Sequence, residues 1–393
     1  MRIAHVITRL ILGGAQENVV LCCEDLLREY GDDVLLVTGP PLGPEGSLLQ
    51  RARAGGVPVE LVDQLRRPIH PVRDPAAYRH IKRILRDFRP DVVHTHSAKG
   101  GIFGRAAAWK LKVPLVVHTV HGAPFHPYQG RGARALFRTC ERWAARRCHV
   151  IVSVADAMTD LLVAGNVAER EKFTTIYSGM EVEPFLHSAE HRERVRQELG
   201  YTPQHVVVGK IARLFHLKGH EYVIRAARLL VDAEPNTRFL LVGDGVLQGR
   251  LCRQIAAAGL ENHFTLTGLV PPERIPQLLA AMDIVVHASL REGLARVLPQ
   301  ALIAGKPVVS YDVDGAREVV IPQQTGFLLP PRSVEQMALA LERLAADPDL
   351  RRRLGSEGRR RFVDTFRHEH MTAELRALYE SLGNMGNMSN ERQ

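Results

Sequence analysis

Cysteine is scarce in this chain of 393 residues. The five present (Cys22, Cys23, Cys140, Cys148 and Cys252) are odd in number and show no C-x-x-C spacing. That argues against a disulfide frame or a thiolate zinc site and for free thiols in a reducing compartment. Long hydrophobic runs are also missing: no stretch approaches the ~20 apolar residues of a membrane span. The opening MRIAHVIT reads as a strand with no apolar leader segment behind it. A cytoplasmic protein is therefore expected. Acidic side chains are few in one region. Between Leu61 and Val150 there are 18 Lys+Arg against 5 Asp+Glu, a local balance of +13 in a chain whose total is +9, which leaves −4 elsewhere. A basic block of this kind suits a polyanionic partner such as nucleic acid, anionic lipid or a diphosphate, or it is simply a solvated face.

What the chain does have is alternation. Apolar β-branched runs occur at 3–8, 34–38, 57–62, 92–96, 115–120, 150–154 and 174–177, then at 206–211, 239–242, 264–267, 284–287, 308–311 and 327–328. Helical patterns such as 16–29, 75–87, 221–230 and 334–345 separate them. Alternating β and α predicts parallel sheets covered on both faces, and the length requires more than one core. We expect two doubly wound α/β domains facing across a cleft: 1–186, a linker at 187–203, and 204–365. A helix over 366–383 is expected to cross back to the first domain, with a disordered tail at 384–393.

The second half is organised around DIVVHASLREGLARVLPQALIAGKP, residues 283–307. A buried strand leads through a polar turn carrying Glu292 into an apolar helical pattern, so the N–H groups of Gly293, Leu294 and Ala295 would face an anion at a helix start. Open α/β sheets bind ligands along this carboxyl edge. Upstream, GKIARLFHLKG places Arg213 and Lys218 on a strand-to-helix loop, a spacing that suits a diphosphate without a metal. Gly243-Asp244-Gly245 and Thr267-Gly268-Leu269-Val270 repeat the strand-to-turn pattern. Asp312-Val313-Asp314 has the D-x-D spacing of a divalent site and is read as turn chemistry instead.

In the first half, Leu12-Gly13-Gly14-Ala15-Gln16 opens a helix but is not G-x-G-x-x-G, which disfavours a dinucleotide cofactor. HTHSAKGG and the following Gly104-Arg105 put Ser97, Lys99 and Arg105 near a strand end as candidates for an anionic acceptor or phosphate. His94 and His96 share a strand face, yet no acidic or Cys ligands accompany them, so no metal site is assigned. His121, at a strand's carboxyl end, suits hydroxyl hydrogen bonding or proton relay. Arg134, Arg138, Arg142 and Arg146 recur every four residues on a helix with apolar residues opposite, a pattern fit for an anionic membrane surface or for a solvated face. No nucleic-acid motif accompanies it.

Collectively GGAQ, HTHSAKGG with GR, HTVHG, IARLFHLKG, LVGDG and SLREGLARVLPQALIAGKPVV resemble bacterial glycosyltransferases of the GT-B fold, the retaining family 4 group, over nearly the whole chain. The resemblance implies two Rossmann-like domains and transfer of a hexose or related sugar from a nucleotide-diphosphate sugar, most commonly UDP-linked, with no cofactor or metal. The acceptor would be a saccharide or a polyprenyl-linked saccharide of surface polysaccharide. It implies catalytic roles for Arg213, Lys218, Glu292 and His121. Gly13, Gly14, Gly243, Leu269, Val270, Gly293, Leu294, Ala295 and Gln300 would bind the donor, with Gly14 and His121 closing over the sugar from the other domain. One position departs: the family's second glutamate is Gln300, whose amide can still pair with ribose hydroxyls. A nucleotide-sugar epimerase or hydrolase of the same fold, or a binding protein without turnover, remain alternatives.

Overall fold

A computed structural model describes residues 1–42 and 46–390, the last seven of these as backbone only. The chain divides into two compact units, Met1–Met180 with Thr365–Gln393, and Glu181–Asp364.

The first unit contains strands β1 (Arg2–Ile7), β2 (Asp33–Thr38), β3 (Val59–Leu61), β4 (Val92–His96), β5 (Leu115–Val120), β6 (Val150–Ser153) and β7 (Phe173–Thr175). They form one seven-stranded sheet in the order β3-β2-β1-β4-β5-β6-β7, parallel throughout. Helices α1 (Gly14–Arg28), α2 (Leu49–Ala54), α3 (Arg73–Phe88), α4 (Ala98–Lys110), α5 (Arg131–Ala145) and α6 (Asp156–Ala164) make the crossovers. The strands are legible as near-continuous apolar runs because both faces of a parallel sheet are covered. Ile3, Ile7, Leu36 and Val117 join Val19 and Leu26 of α1 in a single core.

The second unit holds β8 (Val206–Ile211), β9 (Thr237–Val242), β10 (Phe264–Leu266), β11 (Ile284–His287), β12 (Val308–Tyr311) and β13 (Gly326–Leu329), in the order β10-β9-β8-β11-β12-β13. Its helices are α7 (Glu183–Leu186), α8 (Arg192–Glu198), α9 (His220–Leu230), α10 (Gln248–Ala257), α11 (Arg274–Ala281), α12 (Val297–Ile303), α13 (Ala316–Val319), α14 (Val334–Ala346) and α15 (Pro348–Phe362). In both sheets the strand order reverses beside the first strand, between β1 and β4 and between β8 and β11. Such switch points open a crevice outside the carboxyl ends of the strands.

The polar stretch 187–203, expected as a linker, contains α8 and is tied to the second unit. The Asp283 carboxylate accepts from Arg192 (2.5 Å), Arg196 (3.0 Å) and the Val207 amide (2.8 Å). Those guanidinium groups also donate to the carbonyls that end α11, at Ala280 and Ala281. Arg359 caps α12 at Ile303 (2.8 Å) and Arg351 caps α14 at Ala345 (2.8 Å). A cation at each helix C-terminus satisfies orphan carbonyls and opposes the helix dipole, which explains the arginines of the amino edge without a ligand.

The last helix, α16 (His368–Asn390), belongs to the first unit. Met371, Leu375 and Tyr379 enter the α1 core, and Thr372 and His368 bind Asp25 of α1. Its backbone stays helical to Asn390, through most of the expected tail, since no proline interrupts it; residues 391–393 lie outside the described residues. No helix among the described residues is long and apolar enough to cross a membrane.

Candidate active site

At the carboxyl edge of the second sheet four strand-end loops are stitched together by backbone hydrogen bonds. The Leu214 amide after β8 donates to the Asp244 carbonyl after β9 (2.8 Å), Gly243 donates to Gly268 after β10 (3.1 Å), and Leu290 after β11 donates to Leu217 (2.8 Å). Two glycines make this possible. Gly219 sits at φ +71°, and a Cβ there would lie 1.9 Å from the Ala288 carbonyl oxygen; Gly243, at φ +136°, would place one 2.3 Å from the Ala212 oxygen. Any side chain would push the loops apart.

The result is that Lys218 and Glu292, 74 residues apart in sequence, meet: Lys218 Nζ donates to Glu292 Oε1 at 2.5 Å. Both are largely withdrawn from water, with side-chain exposures of 23% and 19%. Burial is the largest influence on Glu292 and works against ionisation, but the Lys218 charge, His287 and the hydrogen bonds from Lys218 and Ser289 together outweigh it and hold the carboxyl below its ordinary range. Beneath the pair lie His287, with Nε2 3.6 Å from Glu292 Oε1, and His220, whose Nε2 donates to the Arg213 carbonyl at 3.1 Å. Burial keeps both rings neutral, each pushed down to about 3. Lys210 of β8 is fully buried with no hydrogen-bond partner among the described residues, and burial followed by Lys218 repulsion lowers it to about 7. Arg213 is exposed on the same loop as Lys218, its guanidinium 5.1 Å from the centre of the Phe215 ring.

The turn after Glu292 differs from the expected helix start. Helix α12 begins only at Val297, so Gly293, Leu294 and Ala295 belong to an irregular turn. Asp314 holds that turn, its Oδ2 accepting from the Glu292 amide (2.6 Å), while Gly315 N–H donates to the Gly293 carbonyl (3.0 Å). Asp312 pairs with Arg317 at 2.7 Å. Gln300 is half-buried on α12, Val270 is half-buried, and Leu269 is 65% exposed beside the Gly243 loop.

In the first unit the Gly13-Gly14 loop caps α1, with Gln16 and Glu17 amides donating to the Gly13 carbonyl (3.1 and 3.0 Å). Residues 8–12 separate it from β1. The three anion candidates of this unit are otherwise engaged. The Ser97 hydroxyl accepts from the Thr8 amide (3.1 Å) and contacts the Thr8 hydroxyl (2.7 Å), tying α4 to the end of β1. Lys99 donates to Asp74 (2.7 Å) and the Pro68 carbonyl (2.6 Å). Arg105 is fully buried and paired with Glu141 at 2.9 Å. Its expected place at an anionic ligand is corrected: a carboxylate one helix away already neutralises it in the interior.

His121 follows β5, with Nε2 3.2 Å from His96 Nδ1. Behind it stand His5, His94 and His96, three buried imidazoles offering nitrogens within 4.8 Å of one another. His5 escaped sequence analysis because it lies mid-strand; only its register opposite His94 brings it into the group. Helix α5 exposes Arg134, Arg142, Leu136 and Trp143, while Arg138 is half-buried, and Arg146 is exposed just beyond it. An open apolar groove of about 570 Å³ runs beside it, lined by Tyr78, Phe103, Trp109 and Trp143 among others.

Residues 13–179 match the family Glycosyl transferase 4-like domain, and residues 191–361 match Glycosyl transferases group 1. The chain is 30% identical over 328 residues to a GDP-mannose-dependent alpha-mannosyltransferase of Mycobacterium tuberculosis, covering 81% of this chain and 80% of that protein. It is 28% identical to the UDP-Gal:alpha-D-GlcNAc-diphosphoundecaprenol alpha-1,3-galactosyltransferase of Escherichia coli, covering 88% of each. A crystal structure of Anabaena HepE in complex with UDP-glucose superposes with a TM-score of 0.81 at 23% identity, over 97% of this chain and 100% of that one, which supports the fold. The chain belongs to the GT-B glycosyltransferases of group 1.

Proposed function

We propose that this glycosyltransferase is a retaining, metal-independent enzyme that moves a hexose or related sugar from a UDP-linked donor to a saccharide or polyprenyl-linked acceptor in surface polysaccharide synthesis. The observation that carries the reading is the Lys218–Glu292 contact, which sets a cation and a hydroxyl-binding carboxylate side by side at a sheet's carboxyl edge. In this reading Arg213 and Lys218 neutralise the departing diphosphate and supply the main electrostatic lever on the transition state. Glu292 holds hydroxyls of the donor sugar. Gly243, Leu269, Val270 and Gln300 serve the nucleoside, and the amides of Gly293, Leu294 and Ala295 assist the phosphate. Gly13, Gly14 and His121 of the first unit act on the sugar.

UDP as carrier has its support in the galactosyltransferase relative, whose printed donor is UDP-Gal; the mannosyltransferase relative uses GDP-mannose by its name. The exposed arginines and the exposed Trp143 of α5 support peripheral attachment to an anionic bilayer, since Trp and Arg side chains suit the interface. The test is a transfer assay with UDP- and GDP-sugars and a polyprenyl-diphosphate-linked saccharide, run in EDTA. Product with the donor's anomeric configuration is the expected result; inverted product, or activity that returns only with Mn²⁺, would contradict it.

A further inference from the structure

A lysine stands where the alternation of β8 calls for a core residue. Successive side chains of a strand point to opposite faces, so Lys210 shares a face with Val206 and Val208. Val208 lies in the core of the second unit and Val206 packs against it. Strands β9 and β11 flank β8 on either side, and Lys210 is in register with Leu241 of β9. Its side chain is fully buried, and Nζ meets no hydrogen-bond partner among the described residues. An ammonium there forgoes its hydration with no acceptor in exchange, so burial favours the neutral amine.

The charged and titratable groups around it come from every neighbouring element. Lys218 and Glu292, joined at 2.5 Å, stand on the loops after β8 and β11. His220 and Glu221 open α9, and His287 ends β11. Burial and then Lys218 work against the Lys210 ammonium and bring it down to about 7, while Glu292 and Glu221 pull the other way. His220 and His287 are kept neutral by burial.

We propose that Lys210 is a positioning residue of the donor site, acting through Lys218: neutral in the free enzyme at pH 8, it takes a proton from water when a diphosphate settles on Lys218.

This rests on the proposed function, which puts the diphosphate at this edge. Negative charge arriving on Lys218 offsets the repulsion that disfavours the Lys210 ammonium, and in a site withdrawn from water it also attracts that ammonium. Once charged, Lys210 repels Lys218 and attracts Glu292, which frees Lys218 to follow the diphosphate. The site thus gains a buried cation only while the diphosphate is bound; on its departure the proton returns to water. The sign is definite. A group that holds its proton more tightly in the complex favours binding at low pH and loses that help as pH rises. UDP cannot supply the uptake itself, because its terminal phosphate ionises at about 6 and neighbouring cations drive it to release a proton. His220 and His287, each at about 3, start too low to hold one at pH 8.

The experiment is calorimetric titration of UDP into the full chain at pH 8, repeated in HEPES, Tricine and Tris, whose ionisation enthalpies differ. The dependence of the observed enthalpy on the buffer counts protons exchanged. Wild type is expected to take up roughly half a proton or more per UDP, and Lys210→Met and Lys210→Gln almost none. Between pH 7 and 9 the wild-type affinity should fall, by at most about tenfold per unit, while that of Lys210→Met stays level; a purely packing role would not separate the two profiles. UDP bound by the wild type without proton uptake overturns the proposal whether or not a variant folds, and so does equal uptake in Lys210→Met. Absence of any UDP binding by the wild type would refute the diphosphate reading itself, and this inference with it.

Discussion

At the scale of single residues, the pairing of Lys218 with Glu292 converts two sequence candidates into a geometric unit. Truncating either cation of the β8 loop, Arg213→Ala or Lys218→Ala, is expected to lower kcat/KM by about 2–3 kcal/mol of transition-state stabilisation with the fold retained. Steady-state kinetics beside circular dichroism checks this, and undiminished turnover would remove them from the mechanism. Lys210 gives a sign-definite pH prediction. Its ammonium is lowered from the usual 10.5 to about 7 by burial, so between those values the unfolded chain holds a proton that the folded chain lacks. Stability from this group is complete above pH 10.5 and is lost as pH falls toward 7, by up to about 1.4 kcal/mol per unit. Lys210→Met should therefore flatten the rise in Tm between pH 7 and 9 relative to wild type; an identical slope in the two proteins would contradict the burial argument. Residue roles were only partly legible. Arg213, Lys218 and Glu292 stand out in sequence as charges beside glycine in strand-end turns, and the structure joins two of them, Lys218 and Glu292. Arg105 looks the same in sequence, yet Glu141, 36 residues on, claims it, and no local pattern shows that.

At the scale of elements, the loop from Arg213 to Gly219 depends on left-handed backbone at Leu217 (φ 66°) and Gly219 (φ 71°). Gly219→Ala adds a methyl where the Ala288 carbonyl already stands. It should cost about 3 kcal/mol or more and break the Lys218–Glu292 contact, read as a lower Tm together with lost activity; a variant with wild-type Tm would show that the loop relaxes freely. Strands were the most legible elements: Val92–His96, Leu115–Val120, Val206–Ile211, Ile284–His287 and Val308–Tyr311 occupy the spans their apolar runs define. Helix α8 was not legible, because its charged sequence reads as solvated while Arg192 and Arg196 are in fact spent on Asp283, about ninety residues away. The start of α12 was misplaced for a similar reason: Asp314 draws Glu292 and Gly293 out of the helical path.

At the scale of the whole molecule, the two units share a topology but differ in their buried histidines. His5, His94, His96 and His118 of the first unit are all held neutral by burial, against His220 and His287 in the second. A histidine whose folded value is lowered stabilises fully above its unfolded value of about 6.5 and loses that contribution as pH falls. Each adds at most about 1.4 kcal/mol per pH unit, so the first unit should open first on acidification from pH 6.5 to 5. Amide hydrogen exchange resolved by segment checks the order, and earlier loss of protection in β8–β13 would contradict it. In the proposed reaction the edge bearing Arg213, Lys218 and Glu292 takes a nucleotide diphosphate. Calorimetric titration of UDP into the wild-type chain and Lys218→Ala, both in EDTA, tests it most directly. We predict saturable one-to-one binding by the wild type, weakened at least about tenfold in the variant; equal affinity in the two proteins, or none in the wild type, would contradict it.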